Sequence, residues 1–340
     1  MGTSPKPAVT PERIMQLAWG YAPPLIMEAA VRNKVFDALD GGARTVEETA
    51  AATGASVRGL RAIMNALVGL ELLGKTADGR YSLTPESAAF LVSGRPAYFG
   101  GWIRHASTQL VPEWLHLTEV VATGKSRVGG DKEAAGTAFF QEFVEDLFPL
   151  NYGAAQGLAT DLRLDAATAP VRVLDIAAGS GVWGIGLAHR SVQVQVTALD
   201  WPGVLDITRK VAAAKGVADR FTFIAGDLQT ADFGTGYNVA TLGHILHGIG
   251  EQQSRALLKR TFDALAPGGT IAVAEFLVND TRTGPPAGLI FAVNMVVATD
   301  DGDTWSFEEI AGWLREAGFV NPRTLDVPGP SPLILATRPQ

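Results

Sequence analysis

Asp175-Ile-Ala-Ala-Gly-Ser-Gly181 decides how this chain reads. Before it, Val171 to Ile176 is an aliphatic run that predicts a strand, and after it Gly184 to Arg190 predicts a helix. A strand that ends in an acid and turns into a helix through Ala, Gly and Ser lets a ligand approach the main chain closely. The unpaired N–H groups at the helix start suit a carboxylate. In open α/β sheets, ligands sit beyond the carboxyl ends of the strands, where this loop falls. It is not a phosphate loop of the P-loop kind, because no Lys-Ser/Thr pair follows Gly181. Gly179, Gly181 and Gly184 keep Gly-x-Gly-x-x-Gly spacing, but the Asp at the strand end before them departs from the dinucleotide-binding setting of that motif. Taken alone, the loop reads also as nothing more than a tight strand-to-helix turn.

Downstream, strands and helices alternate. Strands are predicted over 192–199, 221–225, 237–242, 270–276 and 332–337, with helices over 204–215, 252–265 and 307–317. Pro267-Gly-Gly stops one helix; Ser306 caps another and Gly318 ends it. This alternation implies a mostly parallel sheet covered on both faces.

Upstream, from Pro11 to about Leu164, the periodicity is helical. Thr45-Val-Glu-Glu48 is a capping box, and Ser56 caps a helix to about Leu72. Leu73 to Leu83 alternates around Asp78-Gly79, a hairpin signal. Helix, turn, helix, hairpin is the pattern of a winged helix. Such a module reads either as a DNA reader or as a packing and dimerisation module. With 28 Lys and Arg against 35 Asp and Glu, the net charge is −7, which argues against phosphate-driven nucleic-acid binding and anionic membranes. A helical domain over 1–165 and an α/β domain over 166–340 follow. At 47% hydrophobic and 19% charged residues, the chain has enough apolar material for large cores. It has no cysteine, which excludes disulfides, thiolate metal sites and cysteine nucleophiles. No apolar stretch is long enough to span a bilayer and no signal peptide is seen, so a cytoplasmic protein is expected.

Two more acids end strands. Asp200 ends the second, where an acid can accept both hydroxyl protons of a ribose. Asp227 follows the third in Gly226-Asp227-Leu228, where an acid can accept an exocyclic amine and Leu228 can pack on a ring. Either alone is usually a solvated turn residue; three in successive units describe a pocket for a nucleoside with an amino-acid tail.

With these residues the chain resembles the class I S-adenosylmethionine-dependent methyltransferases, and within them the plant caffeate and acetylserotonin O-methyltransferase family with its bacterial relatives. The motifs are Val173 to Gly181, Leu199-Asp-Trp-Pro-Gly-Val204, Phe223 to Leu228, Gly243-His-Ile-Leu-His247 and Leu265-Ala-Pro-Gly-Gly269. The resemblance covers nearly the whole chain. It implies a Rossmann-like catalytic domain behind a winged-helix dimerisation domain, hence a homodimer, no nucleic acid and a small-molecule acceptor. It implies that Asp175, Ala177, Gly179, Ser180 and Gly181 hold the methionine part of S-adenosylmethionine. Asp200 and Trp201 would take the ribose side, and Gly226, Asp227 and Leu228 the adenine; Gly243 and His244 would also face the cofactor. The position of His247 is that of the base, and Glu275 that of its orienting partner.

A histidine suits removal of a hydroxyl proton near neutral pH. His247 reads otherwise as a half-buried structural histidine. His244 beside it raises a metal pair, but no third ligand with helical or strand spacing is evident, so no metal is expected. Substrate-wall candidates are Trp102, Phe143, Phe148, Phe291, Asn294 and Met295. Asn294 is the one polar group in an apolar helix. Two departures from the family pattern stand out. Gly248-Ile249 replaces Asp-Trp after the base, and Thr304, in Gly302 to Ser306, stands where a second flanking acid is usual. They leave open methylation at carbon or nitrogen, or a family member that binds the cofactor without methylating. A winged-helix DNA-binding regulator is the remaining alternative.

Overall fold

The computed structural model describes residues 9–126 and 132–340, without the side chains of 132, 135 and 139–147. The chain forms two compact units, parting between Gln109 and Leu110.

The first unit is helical. Helices α1 (Glu12–Ala18), α2 (Ala22–Arg32), α3 (Val35–Leu39), α4 (Val46–Thr53) and α5 (Val57–Gly69) precede a hairpin of β1 (Leu73–Lys75) and β2 (Tyr81–Leu83). Helices α6 (Pro85–Phe90) and α7 (Gly100–His105) follow. Thr45 and Glu48 close the expected capping box, with the Glu48 N–H donating to Thr45 Oγ1 and the Thr45 N–H to Glu48 Oε2. Ser56 caps α5 as read from the sequence. Arg44 bridges to Tyr81 and adds a third strand stub, which completes the winged-helix pattern. Phe36, Leu39, Leu60, Met64, Leu67 and Tyr81 fill the core. Helix α1 buries nothing: Ile14, Met15 and Leu17 on it, and Trp19 and Tyr21 just after it, are exposed.

The second unit begins with α8 (Val111–Trp114), α9 (Leu117–Thr123) and the long α10 (Lys132–Asp161), which carries Pro149. Next come β3 (Val171–Ile176), α11 (Val182–Arg190), β4 (Val194–Asp200), α12 (Pro202–Ala214), β5 (Phe221–Ala225), β6 (Tyr237–Gly243) and α13 (Leu246–Ala264). The chain closes with β7 (Leu265–Ala274), α14 (Pro286–Ala298), α15 (Phe307–Ala317), β8 (Val320–Leu325) and β9 (Leu333–Thr337). The sheet order is β5-β4-β3-β6-β7-β9-β8, parallel from β5 to β7 and antiparallel at β9 and β8. Strand order reverses between β3 and β6, the place where such sheets bind ligands. Successive side chains of β3 point to opposite faces. Val173 joins the core under α10, α11 and α12, and Leu174 the core under α13 and α15.

Several expectations shift. The boundary read at 165 falls inside the second unit, because α10 packs along α11 and α12. Helix α13 starts at Leu246, earlier than the expected 252, with a kink at Gly250 (φ 74°). Strand β7 starts at Leu265, because the Pro267-Gly-Gly segment is still paired: the Gly268 N–H donates to Arg338 O. Strand β8 was not expected. It is a largely exposed edge strand carrying Pro322, and such a strand has no inward apolar alternation to read.

Close helix contact in the second unit depends on Gly186. A Cβ there would stand 2.4 Å from Ala155 Cβ, and the Gln156 side chain donates to Gly186 O at 2.7 Å. Gly186→Ala should cost roughly 1–3 kcal/mol by overpacking, seen as a melting temperature lower by several degrees. A variant melting with the wild type would show that α10 does not sit this close to α11.

Candidate active site

The loop after β3 is held from three sides. Asp175 is fully buried. Its Oδ1 accepts from the Thr241 hydroxyl of β6 at 2.8 Å, and its Oδ2 from the Gly184 N–H of α11 at 3.0 Å. Burial raises this carboxyl to about 7. Asp175 therefore ties β3, β6 and α11 together under the loop. Ala177, Gly179 and Gly181 are all left-handed, at φ 53°, 53° and 74°. At Ala177, a non-glycine residue in that region costs roughly 1–2 kcal/mol. At Gly181 a Cβ would also stand 2.8 Å from Thr208 Cγ2. The Thr208 hydroxyl donates to Gly179 O at 2.7 Å, and Ser180 is buried.

Asp200 ends β4 next to this loop. Its Oδ2 accepts from the Gly179 N–H at 2.9 Å and its Oδ1 from the Trp201 N–H at 2.8 Å. Burial raises it to about 6. The Gly226 N–H donates to Asp200 O at 3.0 Å, which sets the turn after β5 beside the turn after β4. Asp227 is exposed there, and its Oδ1 accepts from the Gln229 N–H at 2.7 Å. Leu228 is half-buried against the core. Trp201 is half-buried and lies against α10, where a Cβ on Gly136 would be 2.4 Å from its ring.

Across the strand-order reversal, β6 ends in Gly243 and β7 in Ala274, with Glu275 just beyond. Glu275 is buried. Its Oε1 accepts from the Leu246 N–H (2.7 Å) and the His247 N–H (3.3 Å). Its Oε2 accepts from His247 Nδ1 at 2.6 Å. Burial pushes the Glu275 carboxyl up, but the His247 charge and these hydrogen bonds outweigh it and hold it below the ordinary range. An ionised carboxylate only accepts, so Nδ1 carries the proton of this hydrogen bond, and in the neutral form of the ring Nε2 is the nitrogen with the lone pair. The Phe291 ring stands edge-on to the imidazole at 4.9 Å, and Phe276 packs on Phe291 at 4.2 Å.

His244 takes a left-handed φ of 60°. Its Nε2 pairs with Asn151 Oδ1 at 3.1 Å, so Nδ1 is an acceptor, sealed from solvent and without a hydrogen-bond partner among the described residues. Burial lowers its pKa to about 4 and keeps the ring neutral. The expectation that no third metal ligand exists needs correction. His244, His247 and Glu275 offer ligand atoms within 4.8 Å of one another, because the adjacent ends of β6 and β7 bring Glu275 alongside. The 2.6 Å hydrogen bond engages Glu275 and His247 with each other.

Of the wall candidates, Phe291, Asn294 and Met295 lie together on α14. Asn294 Oδ1 accepts from Trp114 Nε1 at 2.8 Å, which leaves its NH2 group as the free donor. Phe148 proves to be core: it is 7% exposed, stacks on Tyr152 at 5.4 Å and lies under the Lys215 ammonium. The side chain of Phe143 lies outside the described residues. Trp102 belongs to the first unit, where it packs on His105.

Sequence reasoning missed Trp183, Thr241, Asn151 and Phe276. A Cβ on Gly243 would stand 2.0 Å from Trp183 Nε1, so that glycine exists for the indole beneath it. Only Trp183, just after the glycine loop, had a local signal. The altered segment also has a structural role. The Asp303 N–H donates to His247 O at 3.0 Å and Trp305 Nε1 to Leu246 O at 3.3 Å. A Cβ on Gly302 would meet His247 O at 2.4 Å. Thr304 is fully buried, and its hydroxyl has no hydrogen-bond partner among the described residues.

The donor set fits a nucleoside with an amino-acid tail. It comprises a loop with no side chain larger than serine, acids ending β3 and β4 and following β5, and an uncharged acceptor at His244. Comparison with known proteins agrees. Residues 15–93 match an O-methyltransferase dimerisation domain and residues 114–320 an O-methyltransferase domain. The chain is 31% identical to the 3-hydroxy-5-methyl-1-naphthoate 3-O-methyltransferase of Streptomyces sahachiroi, across 96% of this chain and 94% of that one. It is 30% identical to the tetracenomycin polyketide synthesis 8-O-methyl transferase TcmO of Streptomyces glaucescens, across 97% of each. PigF of a Serratia species, solved with SAH, superposes with a TM-score of 0.82 at 25% identity, covering 97% of this chain and all of that one. The chain thus belongs to the O-methyltransferase family and is an S-adenosylmethionine-dependent methyltransferase.

Proposed function

We propose that the chain methylates a hydroxyl group of a small aromatic or polycyclic molecule, with His247 as the base. The observation that carries this is the 2.6 Å hydrogen bond from His247 Nδ1 to buried Glu275, which leaves Nε2 as a lone pair beside Phe291. When bound, S-adenosylmethionine supplies an electrophilic methyl group. Ala177 to Gly181 would hold its methionine part with main-chain groups, Asp200 its ribose hydroxyls, and Asp227 with Leu228 its adenine. His247 Nε2 takes the proton of the acceptor hydroxyl, and Glu275 stabilises the resulting imidazolium. Proton removal and positioning are all that the side chains need to contribute.

The acceptor is argued from α14. Half-buried Phe291 offers an apolar face suited to an arene, with Met295 buried on the same helix. The Asn294 oxygen already accepts from Trp114, and its NH2 group can donate; that group suits a carbonyl or carboxylate oxygen on the acceptor. The naphthoate relative acts on a molecule with both a hydroxyl and a carboxylate. The exposed apolar residues of α1 favour a homodimer built through the first unit. A cytoplasmic enzyme accords with the absence, among the described residues, of a helix able to cross a membrane.

His247→Ala should lower kcat by roughly 10²–10⁴-fold while SAH binding, measured by calorimetry, stays within a factor of about two. Undiminished turnover on the natural acceptor would remove His247 as the base.

Asp200 gives a pH signature. Ribose hydroxyls donate to its ionised form, and burial raises the carboxyl to about 6 in the free protein. Affinity for S-adenosylmethionine should therefore be full above about pH 7 and fall as pH drops through about 6. In Asp200→Asn, affinity should be lower throughout and that pH step absent. A step that survives in Asp200→Asn must come from another group.

Leu17→Glu combined with Trp19→Glu places charge on the exposed face at α1. Light scattering after size-exclusion chromatography should show wild type at twice the chain mass and the variant as monomer. A wild-type monomer at micromolar concentration would overturn the homodimer.

A further inference from the structure

Arg260 lies on α13 and has no part in the site described above. It is half-buried, and its guanidinium stands 4.1 Å from the centroid of the Phe233 ring. One terminal nitrogen donates to Leu228 O and the other to Ala231 O. Both carbonyls belong to the turn after β5. Within the turn, the Asp227 carboxylate accepts from the Gln229 N–H and Asp227 O accepts from the N–H groups of Thr230 and Ala231, while the Gly226 N–H ties its start to Asp200 O and Leu228 and Ala231 pack against the core. Gln229 adds one side-chain contact to α13, through Gln253 at 2.8 Å. Asp227, Gln229 and Thr230 are exposed.

We infer that Arg260 is the positioning residue for the adenine side of the cofactor site. It rests on the reading that Asp227 and Leu228 meet the adenine. A planar guanidinium can satisfy two carbonyls at once, whereas a lysine ammonium is a single flexible point of contact. With Leu228 O drawn to one side by Arg260, the Leu228 side chain and the exposed Asp227 carboxylate keep a single arrangement in a turn that faces solvent on one side. The Phe233 face fixes the guanidinium plane from below. An adenine contact made by an exposed carboxylate and one leucine discriminates only if the turn is rigid, because loosening it charges an ordering cost to every binding event.

The test is calorimetry with two probes, SAH and its inosine analogue, in which a carbonyl replaces the exocyclic amine. Arg260→Met should weaken SAH about tenfold and narrow the preference for SAH over the inosine analogue. Arg260→Lys should recover part of each. Turnover at saturating cofactor should stay within about a factor of two, since the effect is on cofactor binding and not on the base. Leu228→Ala and Asp227→Ala separate the two layers of the argument. If they weaken SAH and Arg260→Met does not, the adenine turn stands and the Arg260 role falls. If neither weakens SAH, the adenine assignment itself falls. A loss of SAH affinity in Arg260→Met with the adenine-over-inosine preference intact, tracking a lower melting temperature, would reduce Arg260 to a stabilising residue and overturn the inference.

Discussion

The carboxylate of Asp175 is where the two halves of the site are joined. It is buried, yet both its oxygens are claimed, one by the hydroxyl of Thr241 on β6 and one by the N–H that Gly184 presents from α11. Strands β3 and β6 flank the point where strand order reverses, so this group sets the spacing of the crevice. Burial alone would make the group costly, and it is tolerable because each oxygen is hydrogen-bonded. A Cβ on Gly184 would come within 3.1 Å of Asp175 Oδ2 and 2.6 Å of Val196, so the glycine is part of the same constraint. Asp175 acts on the site through the backbone it fixes.

From that joint the pairing of His247 with Glu275, the proposed base and its partner, follows by topology. Strands β6 and β7 are parallel neighbours, and their register sets Gly243 opposite Ala274. The residues just past each strand end therefore emerge side by side. His247 follows β6 after a single left-handed turn at His244, and Glu275 follows β7 directly. Residues distant in sequence meet at 2.6 Å with no loop closure of their own. The left-handed turn has a cost, of order 1–3 kcal/mol for a non-glycine residue. It is offset by the bonds around it: the His244 N–H to Ala274 O, its ring to Asn151, and Glu275 to the Leu246 and His247 amides. Strain held by such a network at a crevice is what fixes an imidazole in one orientation.

How much of this was legible in the sequence depends on how local each signal is. The Thr45 capping box, the Ser56 and Ser306 caps and the Asp78-Gly79 hairpin are complete within a few residues, and the structure has each where it was read. The strand-end acids were legible because the βα period puts them in register. Contacts made at long range were not. Nothing near Asn151 announces that it will meet His244, and nothing near Trp183 that it will lie beneath Gly243. The domain boundary was misplaced for a related reason. Helical periodicity in α10 resembles that of the first unit, and only its packing against α11 and α12 assigns it to the second. Phe148 shows the limit of reading walls from composition: its aromatic ring serves the core under Tyr152 and Lys215.

The departures around the base become intelligible once the contacts are known. Where the family pattern has a second flanking acid, this chain has buried Thr304, whose hydroxyl has no hydrogen-bond partner among the described residues. Yet the segment around it holds His247 through the main chain, by the Asp303 N–H, by the Trp305 indole on Leu246 O, and by Gly302 pressed against His247 O. Those contacts do not depend on the side chain at 304. A base of this kind needs one acceptor at Nδ1, to fix the tautomer and balance the charge that forms. It needs nothing at Nε2, where any second protein partner would compete with the acceptor hydroxyl. Glu275 meets the first requirement, and the neighbouring Phe291 ring adds no polar group beside the imidazole. Thr304 in place of a second acid therefore changes what surrounds the proposed base and leaves its hydrogen bond to Glu275 intact.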